Sequence, residues 1–260
     1  ISAGAAMTAV SALNASLGSA MAQETPVPAA PEAGVDSSEP VAPKPFGFED
    51  VAEIAREMAA NPFKYRDAEL IGTFGNLTYD QYRGIRFRRD RDPWASGSDF
   101  ALDLLPPGSI FHEPVGINLV EDGVVIPIKF DPRMFDFDPA QFPDGVDYET
   151  LGDMGWSGFR IRAPLNRPDV MDEVAVFQGA SYFRAVARGT LYGLSARGLA
   201  IGTGSPEGEE FPMFRDFWIT KPGPRERSVL IYALLDSRSG QRQDALSSML
   251  SSSGTSTRIV

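Results

Sequence analysis

Apolar residues fall at helical spacing over one long stretch of this chain and at strand spacing over many short ones. In FEDVAEIAREMAA (48–60), Phe48, Val51, Ile54, Ala55 and Met58 share one stripe, acids fill the first turn, and Asn61-Pro62 forms a stop. The spacing predicts one amphipathic N-terminal helix opening the folded part. TYDQY (78–82) predicts a short second helical turn leading into a strand at 84–88. From there the apolar runs are brief and cut by Gly, Pro and Asp: 100–105, 110–120, 124–130, 158–163, 174–186, 191–194 and 229–235. Asp122-Gly123 between two of them is a hairpin signal, and Phe159-Arg160-Ile161-Arg162 alternates as a half-buried strand does. The spacing is too irregular for a repeat array. The expected fold is mainly β, an incomplete β-sandwich of twisted antiparallel sheets with one N-terminal helix. The last run, SVLIYALLD (228–236), is apolar on both faces and is expected to need covering by sheets that the chain does not supply.

The flanks read differently. Residues 1–22 are Ala- and Ser-rich and end in Ala20-Met21-Ala22, a small-x-small cleavage pattern, and are read as the remnant of a secretory signal peptide. Residues 23–45 hold six of the 21 prolines, several acids and no aromatic, a composition that cannot bury enough surface to fold and reads as a disordered linker. The partial β-sandwich domain is then expected over 46–236. From Ser237 to Val260 the texture turns to eight serines without an aromatic, read as a disordered or out-of-frame tail with no strand. No other segment reaches 18 uninterrupted apolar residues, so no membrane span is expected, and the signal places the mature protein in the periplasm of a Gram-negative cell. Because the sequence starts at Ile1, a twin-arginine motif cannot be checked.

Charge and composition then exclude several chemistries. A net charge of −11 and a pI near 4.6 argue against a nucleic-acid partner. The single basic cluster, RFRRDR (86–91), includes Asp90, is followed by Asp92, and reads as a solvated strand end rather than a phosphate site. The absence of cysteine removes disulfides, zinc-thiolate sites and thiol catalysis. Ser195 sits in Gly-Leu-Ser-Ala-Arg-Gly, which is not a nucleophile elbow, and Gly202-x-Gly204 lacks the rest of a dinucleotide fingerprint. No cofactor, metal site or catalytic residue is expected.

Residues 179–219 pack aromatics, arginines, glycines and carboxylates more densely than any other stretch. Flat rings stack on the apolar faces of pyranoses, and guanidinium forks donate to hydroxyls. On a strand only alternate residues share a face, so Tyr182 and Arg184 point together and Phe183 goes to the core. The carbohydrate-binding candidates are Tyr182, Arg184, Tyr192, Arg197, Glu209 and Trp218. The carboxylates Glu207, Glu209, Glu210 and Asp216 raise glycoside hydrolysis, but acids in a Gly- and Pro-containing loop more often line a groove or pair with arginine.

GASYFR (179–184), YGLSARGLAI (192–201), GEEFP (208–212), FRDFWI (214–219) and IYALLDS (231–237) closely resemble the periplasmic glucan biosynthesis family OpgG/OpgD (MdoG/MdoD). Shorter matches at FEDVAEIA (48–55), YDQYRGIRF (79–87), PVGIN (114–118), DMGWSGFRIRAPLN (153–166) and DEV (172–174) extend the resemblance over about residues 46–237. It implies the first part of a large β-sandwich with a glucan groove, a domain that in the family precedes a smaller immunoglobulin-like one. It also implies a role with osmoregulated periplasmic glucans, whose β-1,2-linked glucose backbone is exported by a membrane glucosyltransferase. Some members resemble inverting β-1,2-glucanases, but their proposed catalytic aspartates lie beyond the YALLDS strand, so no catalytic residue carries over. The expected partner is β-glucan, bound and processed in a groove. The alternatives are a non-catalytic scaffold for nascent glucan or the glucosyltransferase, and a truncated fragment without function.

Overall fold

The computed structural model describes residues 44–66, 69–190 and 193–239, together with the backbone of strands Ala245–Ser251 and Gly254–Ile259. Residues 1–43, which hold the segment read as a signal remnant and almost all of that read as a linker, lie outside the described residues.

Helix α1 (Phe48–Ala59) has Glu49 and Asp50 in its first turn, and Asp50 accepts a 2.7 Å hydrogen bond from the Gly47 amide. Helix α2 (Tyr79–Arg83) is closed at its start by a reciprocal pair, the Gln81 amide donating to Thr78 Oγ1 and the Thr78 amide to Gln81 Oε1. The strands follow as β1 (Ile85–Phe87), β2 (Ala101–Leu105), β3 (Gly116–Glu121), β4 (Val124–Pro127), β5 (Phe135–Phe137), β6 (Gly158–Ala163) and β7 (Asp172–Gln178). After them come β8 (Tyr182–Ala185), β9 (Leu194–Arg197), β10 (Met213–Thr220), β11 (Ser228–Asp236), β12 (Ala245–Ser251) and β13 (Gly254–Ile259).

They form a five-stranded sheet in the order β2-β6-β7-β8-β9, a six-stranded sheet in the order β13-β12-β11-β10-β3-β4, and a ribbon of β1 with β5. All pairs are antiparallel except β3 with β10. The two large sheets face each other across one apolar layer: Phe159 of β6 and Phe177 of β7 meet Phe217 of β10 with ring centroids 4.9 and 5.6 Å apart. The mainly β sandwich expected from the pattern is present. On β6 the alternation is as read, with Phe159 and Ile161 buried and Arg160 and Arg162 on the other face.

The outer face of the six-stranded sheet corrects one expectation. Val229, Ile231, Ala233 and Leu235 of β11 join the sandwich core, while Leu234 and Tyr232 pack with Val51 and Ala55 of α1. The second apolar face is therefore covered by the chain's own helix; an amphipathic stripe and a doubly apolar strand are each other's solution.

Other differences are local. Asp122 and Gly123 take φ of 51° and 79°, the left-handed pair that a tight hairpin requires. The run 174–186 breaks at Gly179-Ala180 into β7 and β8, and only 116–120 of the run 110–120 is strand. The run 191–194 becomes a strand at 194–197. Strands β5 and β10 lie outside the expected runs; β10 carries Arg215 and Asp216 at a register shift, which breaks its alternation. Arg215, 2% exposed, is paired with Asp236 at 3.1 Å and donates to the Lys64 carbonyl. The tail expected to lack strands supplies β12 and β13, because β11 would otherwise present an unpaired apolar edge and β12 takes up its hydrogen bonds.

Candidate functional site

On the outer face of the five-stranded sheet alternation turns Arg160, Arg162, Tyr182, Arg184, Ser195 and Arg197 away from the core, three of them sequence candidates. Register carries charge from strand to strand. Asp103 on β2, side chain 9% exposed, pairs with Arg160 Nε at 3.2 Å and Arg162 Nη2 at 2.8 Å. Glu173 on β7 is shared between Arg160 at 3.5 Å and Arg184 at 2.9 Å. These four strands are thus laced by one ion-pair ladder.

At the β8–β9 end the face changes character. Tyr182 and Arg197 are register partners, and the Arg197 guanidinium lies 5.0 Å from the Tyr182 ring and 5.2 Å from the Phe211 ring. Glu209 forms an ion pair with Arg197 and accepts from Thr203 Oγ1 at 3.1 Å. The loop after β9 makes this possible. An Ile201–Glu210 bridge folds it back on itself, and Gly202 and Gly204 take φ of 66° and 76° at its turn. Phe211 is left 47% exposed beside two half-buried partners, a flat, polar-rimmed surface.

Of the six sequence candidates, Tyr182, Arg197 and Glu209 are brought together. Arg184 shares their face but is engaged by Glu173. Tyr192 lies outside the described residues. Trp218 is on the opposite sheet, 6% exposed, with its ring stacked on Phe46 at 5.6 Å against α1. It cannot share a groove with Tyr182; it points to the helix because Phe217, its neighbour, points to the sandwich core. Phe183 stacks on Phe177 at 5.1 Å on the core side, as alternation requires. Sequence reading passed over Phe211 as a site residue; the one signal was its place in GEEFP, next to a proline that holds the loop extended.

The acids of residues 207–216 each have a structural task. Glu207 accepts from Ser205, Glu209 from Arg197, Glu210 from the Ser239 amide at 2.8 Å, and Asp216 from Arg66 at 2.6 Å. The hydrogen bonds from Ser239 hold the Glu210 carboxyl below its ordinary range, and the Ser205 hydroxyl does the same for Glu207. A buried polar node lies beneath the face: Tyr82 Oη donates to the Pro106 carbonyl at 2.8 Å and accepts from Gln178 Nε2 at 2.7 Å. Burial pushes the Tyr82 phenol up, so it stays neutral. Gln178 also donates to Ser157 Oγ at 2.8 Å, which fixes the end of β7 to the start of β6.

The family model described as "Periplasmic glucan biosynthesis protein, MdoG" matches residues 46–241. "Glucans biosynthesis protein G" of Ralstonia nicotianae is 45% identical over 194 residues, covering 74% of this chain and 38% of that protein. The protein of the same description from Bradyrhizobium diazoefficiens is 46% identical over 190 residues, 73% of this chain and 37% of the relative. That from Rhodopseudomonas palustris is 42% identical over 217 residues, 82% and 42%. The chain thus spans about 40% of the length of these curated relatives. With three quarters of its residues matched by the family model and by relatives of this identity, the chain belongs to the MdoG family of periplasmic glucan biosynthesis proteins.

Proposed function

We propose that this chain supplies a glucan-binding face to a periplasmic protein of glucan biosynthesis, and that the backbone it holds is β-1,2-linked glucose. The observation that carries the reading is the meeting of Tyr182, Arg197, Phe211 and Glu209 at one end of the five-stranded sheet. Rings of this kind stack on the C–H faces of glucose, and an arginine held by a carboxylate keeps its remaining N–H groups aimed for hydroxyls. The N-terminal signal directs the protein to the periplasm, by the Sec or the twin-arginine route, and the Pro-rich segment 23–45 tethers the folded part. The test is titration calorimetry with linear β-1,2-glucan: Tyr182→Ala and Arg197→Ala should each weaken binding about tenfold, the value of one stacked or hydrogen-bonded contact. Unchanged affinity in both variants removes this wall from the reading.

A second reading, a scaffold that holds nascent glucan or docks the membrane glucosyltransferase without cutting, draws on the carboxylates. All four acids of residues 207–216 are engaged in hydrogen bonds or ion pairs. Incubation of the chain with β-1,2-glucan separates binding from processing: release of shorter oligosaccharides would exclude the scaffold.

A further inference from the structure

A different part of the same sheet face has a charge that the rest of the chain does not. Beneath the β1–β5 ribbon runs a groove of about 900 Å³, and five arginines line it: Arg83, Arg86, Arg89, Arg160 and Arg162. Three aspartates line it too, so the groove carries two net positive charges in a chain whose net charge is −11.

The aspartates are already committed. Asp103 is held between Arg160 and Arg162 on the groove floor. Asp90 pairs with Arg88 at 2.8 Å, and Asp136 lies 4.0 Å from the same guanidinium. Among the described residues, Arg83, Arg86 and Arg89 have no carboxylate within ion-pair distance, and Arg83 instead lies over the Tyr79 ring at 5.7 Å. Three guanidiniums therefore line one groove outside any ion pair; Asp136 stands opposite Arg86 in register but leans to Arg88, and an anion would supply the charge these three lack.

We infer that this groove binds an oxyanion, phosphate or carboxylate, carried on a saccharide, the saccharide part resting on the glucan reading proposed above. Planar guanidinium forks match such oxyanions two hydrogen bonds at a time. The groove is open to solvent and longer than a bare ion needs. A nucleic acid is disfavoured by the acidic remainder of the surface. RFRRDR, which in sequence reads as a solvated strand end, becomes a wall because β1 pairs with β5 and abuts β2. The oxyanion part does not depend on neutral glucan binding at Tyr182 and Arg197. The two regions lie three strands apart on one sheet, on the order of 15 Å.

The test is calorimetric titration of the whole chain with glucose 6-phosphate, with inorganic phosphate and glucose as separate ligands. Arg86 and Arg89 are exposed, so R86Q/R89Q should leave the fold intact, checked by its melting temperature. Glucose 6-phosphate is expected to bind, more tightly than inorganic phosphate, and to weaken by about tenfold in R86Q/R89Q, since each lost guanidinium contact is charge-assisted. Raising the salt to about 0.5 M should weaken it as well. Absence of binding by glucose 6-phosphate, an affinity unchanged in the double variant, or equal affinity for glucose alone would each overturn the inference. Inorganic phosphate binding as tightly as the sugar phosphate would overturn its saccharide part.

Discussion

Arg197 carries two roles on one side chain: its guanidinium covers the Tyr182 and Phe211 rings and its charge is held by Glu209. Because the group is three-quarters buried and packs on two rings, Arg197→Ala should cost about 1–2 kcal/mol, so its glucan affinity is read at a temperature well below its own melting point. Trp218 makes the opposite expectation. Its ring is enclosed by Phe46 and the α1 stripe, and Trp218→Ala should cost about 3–5 kcal/mol, read as a large drop in melting temperature. Both residues look alike in the sequence, a flat or cationic side chain in a glycine-rich neighbourhood. What separates them is which sheet face each occupies, and alternation gives relative facing within one strand but not which layer covers it. Arg215 and Asp236 are a third case, a pair 21 positions apart in sequence and nearly dry in the fold. Asp236→Ala leaves a buried guanidinium uncompensated and should cost about 3–5 kcal/mol, whereas replacing both partners by apolar residues should cost less; a double-mutant cycle on thermal unfolding measures the difference.

At the scale of elements, periodicity found α1 to within a residue and most strands by their cores, because a 3.6-residue stripe and a two-residue alternation are both written in side chains. It missed β10, whose charges sit at a register shift, and it assigned the second face of β11 to sheets beyond the chain although α1 was already in hand. Pairing between distant elements has no local signature. Turns were legible where glycine was needed. Gly158 at the start of β6 has φ of 154°, and a Cβ there would run into the Phe177 carbonyl oxygen on β7. Gly158→Ala should therefore push β6 from β7 and destabilise by about 3 kcal/mol, seen by chemical denaturation. Thr78 caps α2, which presents Tyr82 to Ser157 and Gln178. Thr78→Ala should cost about 1 kcal/mol.

For the whole molecule, the six-stranded sheet and α1 form a closed apolar side, and the five-stranded sheet presents an open, charged and partly aromatic one. That asymmetry is what a protein needs to hold a polymer on one face without losing its core. The family was legible from contiguous motifs: GASYFR and YGLSARGLAI carry β8 and β9 of this face, while FRDFWI and IYALLDS are β10 and β11 of the opposite sheet. The site was legible in part: three of its residues come from one β-ladder and its loop, while the ion-pair ladder through Asp103 and Glu173 depends on strands far apart in sequence. The measurement that tests the central claim most directly is a hydrogen-exchange footprint of the chain with linear β-1,2-glucan. Slowed exchange is expected in β8, β9 and the loop to Phe211, with α1 and the Trp218 side of β10 unchanged. Protection confined to the α1 side, or none anywhere at saturating glucan, would contradict the assignment of the outer face of the five-stranded sheet as the glucan-binding surface.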